Sequence, residues 1–335
     1  MSLPVVEMGS PPGEHGSEPE ETKKEIAGLS PARIAFNRLK RDPVAVVSFG
    51  IVLVFTFIAL FPEFVMSWFG VSTETVLASE RIDLVSQLPK IGPPNNGFDP
   101  EHPFGVSPKV GVDNLAIWLK GAQTSLMIAV IATVATTIVG VALGLVSGFL
   151  GGVTDRVISF ITDLFLTLPF LLVALAVAPI LSDRFGDTPA KYNTYSFIGV
   201  IAILSVFGWM TMARLIRGEV LSMREREFVL AARVIGVPTW RILVKEVLPN
   251  LAAPIVVAVS LGLPAYVAAE AGLSYLGIGV TGRPSWGQTI QDATGWYDKY
   301  PQYLWQPVIG IVLLVVSLNL LGDAIRDALD PKTRR

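Results

Sequence analysis

The chain has 335 residues, 51% of them hydrophobic and only 16% charged, with a net charge of −2. Soluble domains carry about 25% charged residues, so this composition belongs to a polytopic membrane protein. The absence of cysteine excludes disulfides, thiolate catalysis and cysteine-held metal, and His15 and His102 are too few for an all-histidine metal site. No Gly-x4-Gly-Lys-Ser/Thr loop is present, so the chain does not bind ATP in that way.

Residues 1–31 are rich in Glu, Ser, Pro and Gly, which leaves too little apolar surface to offset the entropy of ordering. A disordered tail is expected there, and not a signal peptide, because no apolar core follows a basic start. Residues 32–43 set Ile34, Phe36 and Leu39 among Arg33, Arg38, Lys40 and Arg41, which suits either an amphipathic helix at a membrane surface or a plain basic flank to the first span.

A spanning helix needs about 20 apolar residues. Six stretches qualify: Val44–Phe61, Ala122–Val146, Val157–Leu181, Phe197–Ile216, Leu251–Leu273 and Leu304–Leu321. The expected fold class is therefore an all-α membrane protein with six transmembrane helices. A first helix at 44–61 is followed by an external segment at 62–121, a five-helix core at 122–325 and a C-terminal tail at 326–335. With both termini on one side, that side holds 18 of the 26 lysines and arginines, and the other side eight. The positive-inside rule then places the termini, and the loop between the fourth and fifth spans, in the cytoplasm.

The external segment is too long for a structureless loop. Its IGPPNNGFDPEHPFGVSPKVG stretch reads as turns and an extended arm folded on the outer face, either a structural cap or contact surface or a plain spacer. Gly140, Gly144 and Gly148 repeat every four residues in the second span, a device for close helix packing in lipid. Asp163 and Glu270 are carboxylates within spans, a costly placement that marks either a translocation path or a buried hydrogen-bonded anchor. Trp286, Trp296, Tyr297, Tyr300, Tyr303 and Trp305 read as an interfacial aromatic belt.

The loop at 219–249 is the most basic segment, and its punctuation predicts two short helices with a fixed bend. Glu225 to Ile235 are good helix formers, and Gly236 supplies the positive φ that ends a helix. Thr239 is placed to cap a second helix, Trp240 to Val247, and Pro249 to open the next span. Leu230-Ala231-Ala232, Gly236 three residues later, and Glu246-Val247-Leu248-Pro249 after nine more resemble the EAA loop of ABC-importer membrane subunits. Leu230 stands where that pattern has Glu, and Glu246 where it has Ile.

Further motifs extend the resemblance. His102, Phe104, Gly105, Gly111 and Asp113 hold the frame of the segment ahead of the second helix in dipeptide/oligopeptide C-type permeases. Val112 and Ser107 replace its usual Arg and Asp. Glu270 to Gly279, Pro284-Ser285-Trp286-Gly287, Asn319 to Asp323 and Arg326 to Pro331 are similar to signatures of the same subfamily. The resemblance implies a type I ABC importer fold in a bacterial cytoplasmic membrane. It also implies a second, homologous permease subunit, two ATPase subunits that bind ATP and Mg, and an external substrate-binding protein. The implied chain is non-catalytic, holds no cofactor or metal of its own, and has lipid but no nucleic acid as a further partner. Glu227, Ala231, Ala232, Arg233, Gly236 and Trp240 would couple it to the ATPase, and Asp163 and Glu270 would line the path of a peptide. The same architecture also serves oligosaccharides, nickel chelates or haem. A secondary transporter is the remaining alternative, and it would need paired intramembrane charges and inverted repeats that the sequence does not display. An intramembrane enzyme is disfavoured, because no histidine or cysteine lies in any span.

Overall fold

The computed structural model describes residues 31–74 and 78–329. The expected tail at 1–31 lies outside them except for Pro31, as does the end of the C-terminal tail from 330 onward. In chain order the helices are α1 (Pro31–Arg41), α2 (Pro43–Leu60), α3 (Pro62–Phe69), the single turn α4 (Ala78–Arg81), α5 (Asn114–Leu150), α6 (Gly152–Thr167) and α7 (Phe170–Phe185). They continue as α8 (Pro189–Met223), α9 (Glu227–Val234), α10 (Thr239–Ile242) and α11 (Leu248–Asn250), with a π-helical stretch, Leu243–Val247, joining the last two. Then come α12 (Ala252–Leu273), a second π-helical stretch Ser274–Ile278, α13 (Trp286–Thr294) and α14 (Pro301–Leu329). Among the described residues, extended pairing is limited to two isolated bridges, Ile82 with Pro89 and Val106 with Asp113.

Five of the expected spans are single long helices: α2, α5, α8, α12 with its π-helical extension, and α14. The third differs. Val157–Leu181 is not one rod but α6 and α7, bent by 80°. Pro169 has no N–H to give the helix and pushes Leu168 out of the α region, and Leu168 accordingly adopts φ −75°, ψ 127°.

The core is the pair α5–α8, which run parallel: Gly140, Gly144 and Gly148 meet Met212, Ile216 and Val220 in turn. A Cβ built on Gly140 would lie 2.6 Å from Met212 Cβ, on Gly144 2.7 Å from the Ala213 carbonyl, and on Gly148 2.8 Å from Val220 Cβ. The glycine stripe thus brings two backbones together, and any larger side chain there costs about 1–3 kcal/mol in strain. Around this pair α2, α12 and α14 pack through Phe55, Ala129, Val267, Leu314 and Leu318.

One end of the bundle is capped by the segment between α3 and α5. Asp113, 1% exposed, caps α5 by accepting from the Leu115 and Ala116 amides at 2.8 and 3.1 Å. Its other oxygen meets His102 Nδ1 at 2.6 Å. Asn114 donates to the Phe104 carbonyl and the Tyr300 hydroxyl, and Gln306 donates to the same carbonyl at 2.8 Å. These bonds tie the 62–121 segment to the start of α14.

The aromatic belt is corrected by the same region. Trp286 and Tyr300 are 0% exposed and Tyr303 6%, whereas Tyr297 and Trp305 are half exposed. Buried aromatics need partners for their polar atoms. Trp286 finds the Trp118 carbonyl at 3.0 Å, and Tyr300 finds Asn114. Burial pushes the Tyr300 phenol above its ordinary range, so it stays protonated within this network.

Candidate functional site

The opposite end of the bundle carries the elbow, α9 to α11. Gly236 has φ +79°. Its amide donates to the Arg233 carbonyl and that of Val237 to the Ala232 carbonyl, both at 3.0 Å, the pair of bonds that closes a helix on a left-handed residue. The second helix starts one residue before the sequence expectation. Pro238 occupies the cap and Thr239 is already helical, with no side-chain cap bond. Pro249 does not open a span but follows the π-helical turn. It cannot donate to the Lys245 carbonyl, and the wider turn lets the Leu248 amide reach the Leu243 carbonyl instead.

The elbow is seated by one face and presents the other. Val229 and Val247 at 0% exposure, Ile242 at 1% and Ala232 at 9% pack on Leu145, Phe149, Ile216 and Val220 of the α5–α8 pair. The Arg233 guanidinium lies over the Phe149 ring at 4.5 Å, which adds a cation–π contact to the seat. Ala232 therefore faces the bundle. Glu227, Ala231, Arg233, Gly236 and Trp240 are exposed, and Arg241 stacks on Trp240 at 5.5 Å. The sequence reading missed Val234 and Ile235, which are 86% and 77% exposed at the elbow's tip. Two consecutive apolar residues stranded at the end of a basic helix were the available signal.

Beside the seat, Arg217 grips Asp155 with two bonds, Nε to Oδ1 at 2.6 Å and Nη2 to Oδ2 at 2.8 Å, and the Ser147 hydroxyl also donates to Oδ1. This joins α5, α6 and α8. Further along the same seam, Arg214 meets Asp163 at 2.6 Å, with both side chains more than half exposed. An exposed pair contributes no more than about 1 kcal/mol, so stability does not explain two charges there. They line a cavity of about 390 Å³ with Ser147, Ser159 and Thr162. Within a turn along α6 and α8 a second cavity of about 420 Å³ opens, walled by Phe165, Phe170, Phe207, Met210 and Tyr266. The corner at Leu168 lies in its wall, consistent with the rule that broken backbone at membrane depth borders protein or water.

Glu270 lines neither cavity. It is 0% exposed, receives the Ser274 hydroxyl at 2.7 Å, and is flanked by the hydroxyls of buried Ser125 and Ser285. Ser285 caps α13 by accepting from the Gln288 amide at 3.2 Å, so the carboxyl sits where α5, α12 and α13 meet. Glu270→Gln keeps an acceptor for Ser274 and is expected to leave thermal unfolding of the purified subunit nearly unchanged. Glu270→Ala strands buried hydroxyls and is expected to cost about 1–3 kcal/mol, read as a lowered melting temperature.

Comparison with known proteins agrees with this architecture. A solved structure titled inward facing conformations of the MetNI methionine ABC transporter superposes with TM-score 0.52 at 20% identity, covering 64% of this chain and 96% of that one. The helical arrangement is thus that of an ABC-transporter membrane subunit. Residues 140–335 match the family model described as binding-protein-dependent transport system inner membrane component. The chain belongs to that family, the permease components of ABC importers. Residues 30–74 also match the N-terminal TM domain of oligopeptide transport permease C.

Among curated relatives, the oligopeptide transport system permease protein OppC of Mycobacterium tuberculosis (strain ATCC 25618 / H37Rv) is 38% identical over 67% of this chain and 74% of its own length. The dipeptide transport system permease protein DppC of Alkalihalophilus pseudofirmus is 32% identical, covering 99% of this chain and 97% of that one. OppC of Bacillus subtilis (strain 168) is 31% identical, covering 98% of each.

Proposed function

We propose that this chain forms half of the translocation path of an ATP-driven importer for di- and oligopeptides, in a bacterial cytoplasmic membrane with both termini inside. The elbow is the handle for a separate ATPase. The observation that carries this reading is the elbow's division into a buried seat (Val229, Ala232) and an exposed tip (Val234, Ile235). The peptide assignment is supported by the names of the full-length relatives, and the orientation by the 18 basic residues on the elbow's side.

In this mechanism two ATPase subunits close on ATP and draw together the elbows of this chain and of a second, homologous permease. Each elbow moves the α5–α8 pair on which it is seated, and the membrane path opens toward an external binding protein that delivers the peptide. Hydrolysis resets the path. Asp163 and Arg214 line its inner section, and the aromatic chamber beside Tyr266 forms the section further into the membrane. The chain itself changes no bond of the peptide and needs no cofactor; ATP and Mg belong to the ATPases.

The test uses the chain's lack of native cysteine. Ile235→Cys, carrying a photo-crosslinker in the assembled complex, is expected to join the chain to a nucleotide-hydrolysing subunit. Labelling only by lipid or water would count against the reading.

A further inference from the structure

On the face that carries the 62–121 segment, a cavity of about 450 Å³ lies between the turn 107–112 and α13, lined among others by Lys109, Arg283, Gln288, Asp292 and Trp296. Two features set it apart. Both cations are held over aromatic rings, Lys109 at 5.7 Å from the Trp296 centroid and Arg283 at 5.3 Å from that of Phe197. A ring face pins a cation while leaving its outward N–H donors available for a carboxylate.

Lys109 is also strained, with φ +64°, and Gln87, at φ +58°, is likewise a non-glycine residue in the left-handed region. The two are joined by a hydrogen bond from the Lys109 amide to the Gln87 carbonyl at 3.1 Å. Such backbone costs of order 1–3 kcal/mol and persists where its surroundings hold it for a purpose. Glycine would serve this turn at lower cost. Holding a lysine there points to its ammonium group.

The surrounding charge sharpens the point. The segments 62–121, 182–196 and 279–303 carry eleven carboxylates against eight basic groups. The two cations lining this cavity are thus a local reversal on an acidic face. Asp292 is the carboxylate that faces them in the cavity; burial raises its carboxyl above the usual range, partly offset by Lys109. It leaves the cavity with one positive charge in excess.

We propose that this cavity is a docking socket for a carboxylate side chain of the external substrate-binding protein, gripped by Lys109 and Arg283. The proposal rests on the importer reading above and adds the partner's recognition chemistry and the role of the 62–121 segment. Charge complementarity argues for this occupant, and an acidic side chain on a folded partner brings its carboxylate without the entropy cost of ordering a free peptide.

The experiment titrates the cognate binding protein onto the assembled complex in lipid nanodiscs, reading stimulated ATP hydrolysis. Lys109→Glu and Arg283→Glu are expected to raise the half-maximal concentration on the order of tenfold, with ATP hydrolysis in the absence of binding protein unchanged. Lys109→Gly relieves backbone strain, so the complex should be at least as heat-stable as wild type while docking still weakens. Carbodiimide should join the Lys109 amine to a carboxylate of the binding protein by an amide bond, with loss of water. That cross-link should vanish in Lys109→Arg, which retains docking. An unchanged half-maximal concentration in Lys109→Gly and in both glutamate variants overturns the socket. So does a fall in peptide uptake with unaltered docking, which would assign the cavity to the substrate. Failure of any binding protein to stimulate the wild-type complex would instead remove the importer reading.

Discussion

Gly236→Val is expected to cut ATP-coupled uptake in proteoliposomes roughly 10-fold or more, whereas Gly236→Asn keeps it within about twofold, because asparagine enters the left-handed region far more readily than a β-branched residue. The φ of +79° at Gly236 makes the difference. A Cβ there meets nothing within 4 Å, so neither variant clashes with a neighbour and membrane insertion is retained. The valine acts only on the backbone. It opposes the turn that lets the Gly236 and Val237 amides close α9, and so alters the angle between α9 and α10. Equal uptake by the two variants would show that the bend does not transmit force.

The double variant Val234→Asp, Ile235→Asp is expected to weaken binding of the ATPase subunit by about 100-fold or more. Each apolar side chain contributes about 1.5–3 kcal/mol when covered by a partner, and the new charges add a desolvation cost. Both residues are more than three-quarters exposed, so the isolated subunit should unfold at the same temperature as wild type. The measurement is a titration of detergent-solubilised subunit with purified ATPase. Unaltered affinity would mean that another surface carries the contact.

Much of the architecture is legible in the sequence, because lipid demands long apolar helices and the chain supplies them. The glycine stripe at 140, 144 and 148 announces a close helix contact for the same reason, but only the structure shows that α8 is the partner. Positive φ at Gly236 is legible because the residues around it stop being helix formers. The break between α6 and α7 was harder to see. Val157–Leu181 has the hydropathy of a span, and Pro169 alone does not separate a kink from an 80° corner. Tyr300 and Trp286 misled in the other direction, since interfacial and buried aromatics share a composition. Only the carbonyls of Phe104 and Trp118, which no side-chain pattern reveals, decide between the two settings. The Asp163–Arg214 and Asp155–Arg217 pairs join residues 51 and 62 positions apart, a distance that periodicity does not bridge.

The glycine stripe has a mechanical corollary. With backbone pressed against backbone, α5 and α8 have no compressible layer between them, and the bidentate clasp of Arg217 on Asp155 ties α6 to the same unit. A displacement applied at the elbow is therefore expected to tilt the whole block and not to be absorbed between its helices. The regular helical bonding lapses at Leu168–Pro169, where the chain turns by 80° from α6 into α7. α7 belongs to the same block, because Ala174 packs with Ile128 and Ala132 of α5 and with Val200, Ile203 and Leu204 of α8, so a tilt of the pair would carry α7 with it.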